Sequence, residues 1–169
     1  KIFTVKDQSP DIFLLANLGG AQLGSSDAIS LCQQAVEMIQ ADALAIHLNV
    51  LQECVQVEGH ASFSGLESNI AKICEVLKVP VIVKEVGSGI SPQTAQKLCK
   101  LGVSAIDVGG KGGTSWGHIE GLRSQSKSTQ ALAKTFRDWG IPTAYSLAAC
   151  RAQLSNFPLI ATGGIRDGL

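Results

Sequence analysis

The 169 residues carry 14 Lys+Arg against 14 Asp+Glu, a formal net charge of zero, and 17% of them are charged. That length is one domain on the usual scale of roughly 100–200 residues and falls short of the about 250 that a closed eight-unit barrel takes. The charge balance excludes a basic nucleic-acid-binding footprint and an acidic disordered tail. With 45% hydrophobic residues, 5% aromatics and 18 glycines, the composition fits a small-residue-rich α/β domain.

In chain order, short apolar runs at Ile12 to Leu18, Ala43 to Asn49, Pro80 to Val86, Val103 to Gly109 and Pro158 to Thr162 predict strands. Most are continuously apolar, as parallel strands covered on both faces are. Between them Ala28, Cys32, Ala35, Val36 and Ile39 recur at helical spacing behind Ser26 or Asp27, and Leu66, Ile70, Ile73, Cys74 and Leu77 do so after Ser64. Ser91-Pro92 opens a third helix that closes at Gly102. A fourth helix is expected over Thr129 to Trp139 and a fifth from about Thr143 to Leu154.

The five cysteines, Cys32, Cys54, Cys74, Cys99 and Cys150, are odd in number and show no C-x-x-C pair. They read as reduced core thiols of a cytoplasmic protein. No apolar run approaches the 18 or so residues of a membrane span. The chain begins at Lys1 without a Met and stops at Gly168-Leu169 just after a Gly-Gly turn, so it reads as a piece of a longer protein.

Alternating strands and helices imply a parallel sheet with right-handed crossovers, either open or rolled into a barrel. Polar residues collect after each strand: Asn17, His47 with Asn49, Lys84 with Glu85, Gly109 to Thr114, and Gly163-Gly164. Ligands bind beyond the carboxyl ends of strands in both architectures. Five successive polar strand ends favour a barrel mouth, so the expected fold is a (β/α)8 TIM barrel represented by about five of its eight units.

Four segments carry candidate chemistry. In His47-Leu48-Asn49-Val50-Leu51-Gln52-Glu53, three polar side chains and a carboxylate follow a strand. Such a carboxylate can hold Mg²⁺ that shares substrate phosphates; the plainer alternative is a βα turn beside a core histidine. Lys84 ends an otherwise apolar strand, where an unpartnered ammonium is costly, so an anion, a cofactor or Glu85 must compensate it. Gly109-Gly110-Lys111-Gly112-Gly113-Thr114 offers amides that can curl around anionic oxygens. It matches neither a P-loop nor a dinucleotide fingerprint. Thr162-Gly163-Gly164 is a strand-to-turn site of the kind that holds phosphate by backbone N–H groups. Together these suggest one phosphorylated cofactor across the strand ends. No G-x-S-x-G and no metal-spaced Cys/His set is present.

Taken in order and spacing, Ala16-Asn17-Leu18-Gly19, His47-Leu48-Asn49-x-x-Gln52-Glu53, Val83-Lys84-Glu85-Val86-Gly87, Asp107-Val108-Gly109-Gly110-x-Gly112-Gly113-Thr114-Ser115-Trp116 and Thr162-Gly163-Gly164-Ile165-Arg166 resemble the type 2 isopentenyl-diphosphate isomerases. The resemblance implies a flavoenzyme on a (β/α)8 barrel that interconverts isopentenyl and dimethylallyl diphosphates with reduced FMN, Mg²⁺ and NADPH as reductant. It implies Gln52 as the catalytic, substrate-contacting residue, with His47 also on the substrate, and Glu53 on Mg²⁺. Asn17, Asn49, Lys84 and Thr114 would contact the flavin, and Gly163 and Gly164 would hold its phosphate. Many members have Ser where this chain has Gly109, so a side-chain flavin contact there must be replaced. The family's N-terminal Arg-Lys clamp on the substrate has no counterpart among these residues. The resemblance further implies a homo-oligomer, a tetramer or octamer, in the cytoplasm, with no nucleic-acid or membrane partner.

Two other readings compete. A flavin-dependent 2-hydroxy-acid oxidase or dehydrogenase shares similar lysine and Gly-Gly-x-Arg strand ends and would need a histidine base, for which Trp116-Gly117-His118 is the candidate. The other is an inert barrel fragment.

Overall fold

The computed structural model describes residues 5–167. The two chain ends singled out in the sequence, Lys1 and Gly168-Leu169, lie outside them. Five parallel strands, β1 (Leu15–Gly19), β2 (Ala43–Leu48), β3 (Val81–Glu85), β4 (Ala105–Asp107) and β5 (Leu159–Ile160), form one sheet in the order β1-β2-β3-β4-β5. Helices α1 (Ala28–Ile39), α3 (Leu66–Val76), α4 (Pro92–Lys100) and α7 (Thr143–Gln153) are the crossovers. Three more, α2 (Val50–Val55), α5 (Trp116–Arg123) and α6 (Lys127–Thr135), lie on connections that leave the carboxyl ends of β2 and β4.

Strictly sequential strand order with right-handed crossovers places the connecting helices on one face of the sheet. The core shows this directly. Ala16, Leu44, Ile46, Val81, Val83, Ile106 and Val108 pack with Cys32, Ile70, Ile73, Leu98 and Cys150 of the four crossover helices. Because successive side chains of a strand alternate in direction, Asn17, His47, Lys84 and Asp107 fall on the opposite face. The register then sets three of them level, His47 beside Lys84 and Lys84 beside Asp107. The site is therefore a consequence of alternation plus register, before any loop is considered.

Local signals account for two of the helix starts. Ser91 accepts the Thr94 amide and precedes Pro92, and Ser126 accepts the Thr129 amide in the same way. The fourth helix starts and ends earlier than its apolar spacing suggested, at Lys127–Thr135, because Ser126 supplies that cap.

The expectation of a (β/α)8 barrel is corrected. The described residues form an open sheet in which β1 and β5 are edges that do not pair with each other. The inference failed for a physical reason. Polar groups at every strand end follow from any sequentially ordered parallel sheet with helices on one face, so they do not distinguish a closed sheet from an open one. Closure depends on strand number, tilt and shear acting together, which strand-end chemistry does not report.

Cys32 and Cys150 are buried and Cys74 and Cys99 half-buried, as core thiols should be, whereas Cys54 is exposed. Burial pushes the Cys32 thiol up to about 11. No described helix is long and apolar enough to cross a membrane.

Candidate active site

A pocket of about 560 Å³ opens at the carboxyl ends of the strands, lined among others by Asn17, His47, Gln52, Lys84, Thr114 and Gly163. Gly164 also lines it, so seven of the nine site residues named from the sequence meet there. Glu53 instead lines an adjoining cavity of about 520 Å³ that shares His47. Asn49 is buried beneath both, in contact with Gln52 and Glu53.

His47 Nδ1 lies 2.9 Å from Asn17 Oδ1. Burial and the neighbouring Lys84 ammonium hold its pKa below the usual 6.5, with Glu53 opposing them weakly. A neutral ring that donates from Nδ1 presents Nε2 as an acceptor. Lys84 donates to the backbone carbonyl of Glu85 across 2.9 Å. The Glu85 carboxylate itself turns back and accepts the amides of Val86, Gly87 and Ser88 at 2.7, 3.1 and 2.7 Å. Among the described residues Lys84 thus donates to a main-chain carbonyl and not to the Glu85 carboxylate, and that carbonyl is none of the three compensations named from the sequence. Burial raises the pKa of the Glu85 carboxyl, against the three amides that favour its charged form.

The glycine segments meet each other. Gly163 and Gly164 have φ of +103° and +75°, a left-handed region that side chains disfavour. A Cβ on Gly163 would sit 2.1 Å from the carbonyl oxygen of Gly110, and one on Gly164 2.2 Å from that of Gly112. The turn is fastened by Thr143, whose hydroxyl donates to Gly163 O at 2.6 Å. The amides of Gly109, Gly110 and Lys111 are engaged within the fold, by Asp107, Thr162 and Ile141. Gly110, Gly113, Gly163 and Gly164 of the two crossed glycine turns line the pocket together with Thr114. Gly109 is itself constrained: its φ is +46° and a Cβ there would lie 2.2 Å from the Glu85 carbonyl oxygen. A serine at this position therefore requires a different backbone, and in this chain the pocket wall at Gly109 is main chain.

The second half of the site is a run of side-chain hydrogen bonds. Asn49 Nδ2 donates to Glu53 Oε1 at 2.9 Å and to Gln52 Oε1 at 3.3 Å. Glu53 Oε2 accepts the His60 amide at 2.7 Å. Gln52 Nε2 donates to Glu120 Oε1 at 3.2 Å, and Glu120 Oε2 accepts from Arg123 at 2.6 Å. No group of three or more His, Cys, Asp or Glu poised to hold a metal occurs among the described residues, so a cation at Glu53 would have one protein carboxylate and take its other ligands from solvent and substrate.

Sequence reasoning overlooked Glu120, Asp107 and Thr143. Two of them had a legible signal. Glu120 is a buried carboxylate on a helix of small and apolar residues, one turn after Trp116. Asp107 interrupts an apolar strand and accepts both Thr162 Oγ1 at 2.7 Å and the Gly109 amide at 3.1 Å. Thr143 carried none. His118, the candidate base of the oxidase reading, lies within α5 and does not line the strand-end pocket.

No protein-family model matches the chain. Curated relatives do: it is 52% identical over 167 residues to an isopentenyl-diphosphate delta-isomerase of Synechococcus, 50% over 165 residues to one of Stutzerimonas stutzeri, and 48% over 168 residues to one of Halobacterium salinarum. These alignments take in 98–99% of the chain but 46–48% of each relative. The chain spans about half the length of the relatives it matches. Their names specify no type and no flavin, so the narrower identification with the type 2, FMN-dependent isomerases is corrected to similarity with proteins of the isomerase name. The motifs behind that identification are strand-end glycines and polar groups, which build an anion pocket without selecting the enzyme type.

Proposed function

We propose that this chain provides the substrate- and cofactor-binding strand ends of an isopentenyl-diphosphate isomerase. The observation that carries the reading is one pocket with two unlike ends: crossed glycine turns that would hold a phosphate, and a Gln52–Glu120 pair fixed by hydrogen bonds. The names of relatives at 48–52% identity support it.

The reaction moves a double bond by adding one proton and removing another, with no net redox change. For the cofactor we propose FMN, on the pocket's own chemistry. Gly163 and Gly164 line the pocket and would hold the phosphate, Lys84 offers a cation to the same pocket, and main chain at Gly109 gives a flat ring room to approach. When bound in its reduced form, FMN would supply an acid–base group to the alkene. The chain's residues do the rest. Gln52, anchored by Glu120, holds the alkenyl end in one orientation. His47 offers Nε2 as an acceptor, and Glu53 would hold Mg²⁺ through its one carboxylate, leaving the ion free to neutralise a diphosphate. NADPH as reductant, a homo-oligomer of four or eight copies and a cytoplasmic setting belong to the same reading.

The test is conversion of isopentenyl to dimethylallyl diphosphate by a chain of the relatives' length that contains these residues. Turnover that requires reduced FMN and Mg²⁺ is expected; turnover of 2-hydroxy acids in its place would overturn the reading.

A further inference from the structure

Asn49 occupies the N-cap position of α2 yet makes no side-chain cap to that helix. An asparagine there ordinarily accepts an amide of the first turn. Instead its Nδ2 is turned toward Glu53 and Gln52. The side chain is 4% exposed, and Oδ1 finds no hydrogen-bond partner among the described residues.

Rotating the amide does not relieve the orphan. It would set Oδ1 2.9 Å from the carboxylate oxygen Glu53 Oε1, two acceptors with no proton between them. The order is fixed from the other end as well, because Gln52 Nε2 is held by the Glu120 carboxylate and so leaves Gln52 Oε1 facing Asn49. Carboxylates at both ends of the run therefore force Asn49 Oδ1 to point away from every protein donor. An unmet buried acceptor costs about 1–3 kcal/mol, so a donor is called for.

Beside Asn49 lies a void of about 20 Å³ whose wall includes Gln52, Glu85, Ser88, Ser115 and Trp116. One water needs roughly 10–15 Å³ and 2–4 polar partners. The void accommodates one such molecule and nothing as large as a substrate fragment. Ser88, Ser115 and Gln52, all polar residues, line the same space.

We propose that this void is a binding site for a single ordered water that donates to Asn49 Oδ1 and completes the hydrogen bonds of the Asn49–Gln52–Glu53 run, whose amide order the two carboxylates set. The site lies at the base of the strand-end pocket, sharing Gln52, Glu85 and Trp116 with it. It deepens the functional reading only in that Gln52 and Glu53 belong to that run.

A crystal structure of the ligand-free protein at about 1.8 Å or better tests it. Expected is one solvent peak at hydrogen-bond distance from Asn49 Oδ1, roughly 2.6–3.2 Å, with a second polar contact to Ser88, Ser115 or Gln52. An empty void, a repacked Trp116 filling it, or a protein N–H on Oδ1 would overturn the proposal. In Asn49→Leu the peak is expected to vanish; should that variant not fold, the wild-type density alone decides. The outcomes separate from those of the functional reading, since the water is observable in a protein with no isomerase turnover, and turnover with a dry void removes the water alone.

Discussion

Gln52 and Glu120, 68 residues apart in sequence, meet side chain to side chain at 3.2 Å where α2 and α5 pack. Gln52 lines the pocket and Glu120 is buried behind it, also bound to Arg123. If Glu120 orients Gln52, Glu120→Ala should lower kcat by about 10²-fold, the scale of misplacing a catalytic group by roughly 1 Å. Flavin affinity should stay within about twofold. Glu120→Gln keeps an acceptor and should recover most of the loss, so steady-state kinetics and flavin titration on both variants check the pair.

The glycine turns make a separate demand. Gly163→Ala would put a Cβ 2.1 Å from the Gly110 carbonyl at a φ of +103°, a backbone state costing of order 1–3 kcal/mol for a side chain. We expect a lower melting temperature and FMN binding weakened at least tenfold. Thr143→Val, which removes the hydroxyl that reaches Gly163 O at 2.6 Å and Thr162 O at 3.3 Å, should weaken FMN by a few fold with a stability loss near 1 kcal/mol. Visible absorption of the bound flavin and thermal melts measure both.

How far the sequence anticipated this arrangement differs by kind of feature. Strand positions, the four crossover helices, α7 among them, and the Ser91 cap were legible in the sequence. Helices α2 and α5 were not anticipated, because Val50–Val55 spans a turn and a half and Trp116–Arg123 contains two glycines, so neither offers a sustained apolar period. The meeting of Gly163 with Gly110, and of Gln52 with Glu120, depends on tertiary packing that no local pattern encodes. The open sheet was missed because strand-end polarity is common to both arrangements of parallel strands.

His47 gives a pH dependence with a definite sign. Its folded pKa lies below the 6.5 of the free imidazole, so the unfolded chain binds more protons in the interval between the two. Stability conferred by the neutral ring is present above pH 6.5 and is lost as pH falls through the folded value. His47→Gln should flatten the fall in melting temperature below pH 6.5 relative to wild type, read by thermal melts at constant ionic strength.

Glu53 accepts from Asn49 at one oxygen and from the His60 amide at the other, so Glu53→Gln removes the charge and keeps the shape but can accept only one of the two bonds. Glu53→Gln is expected to leave FMN binding unchanged and to abolish the Mg²⁺ stimulation of turnover, with activity down by at least about 10²-fold. Turnover titrated against Mg²⁺ provides the check.

The central claim is that one strand-end pocket joins a phosphate-holding glycine end to a Gln52 end that orients the alkene. Its most direct measurement is product analysis of isopentenyl diphosphate incubated with the relatives-length protein, reduced FMN and Mg²⁺, in wild type and in Gln52→Leu. The account predicts dimethylallyl diphosphate from wild type and a loss of at least about 10²-fold in Gln52→Leu with FMN still bound; equal turnover by the two proteins, or none by wild type with FMN and Mg²⁺ present, would contradict it.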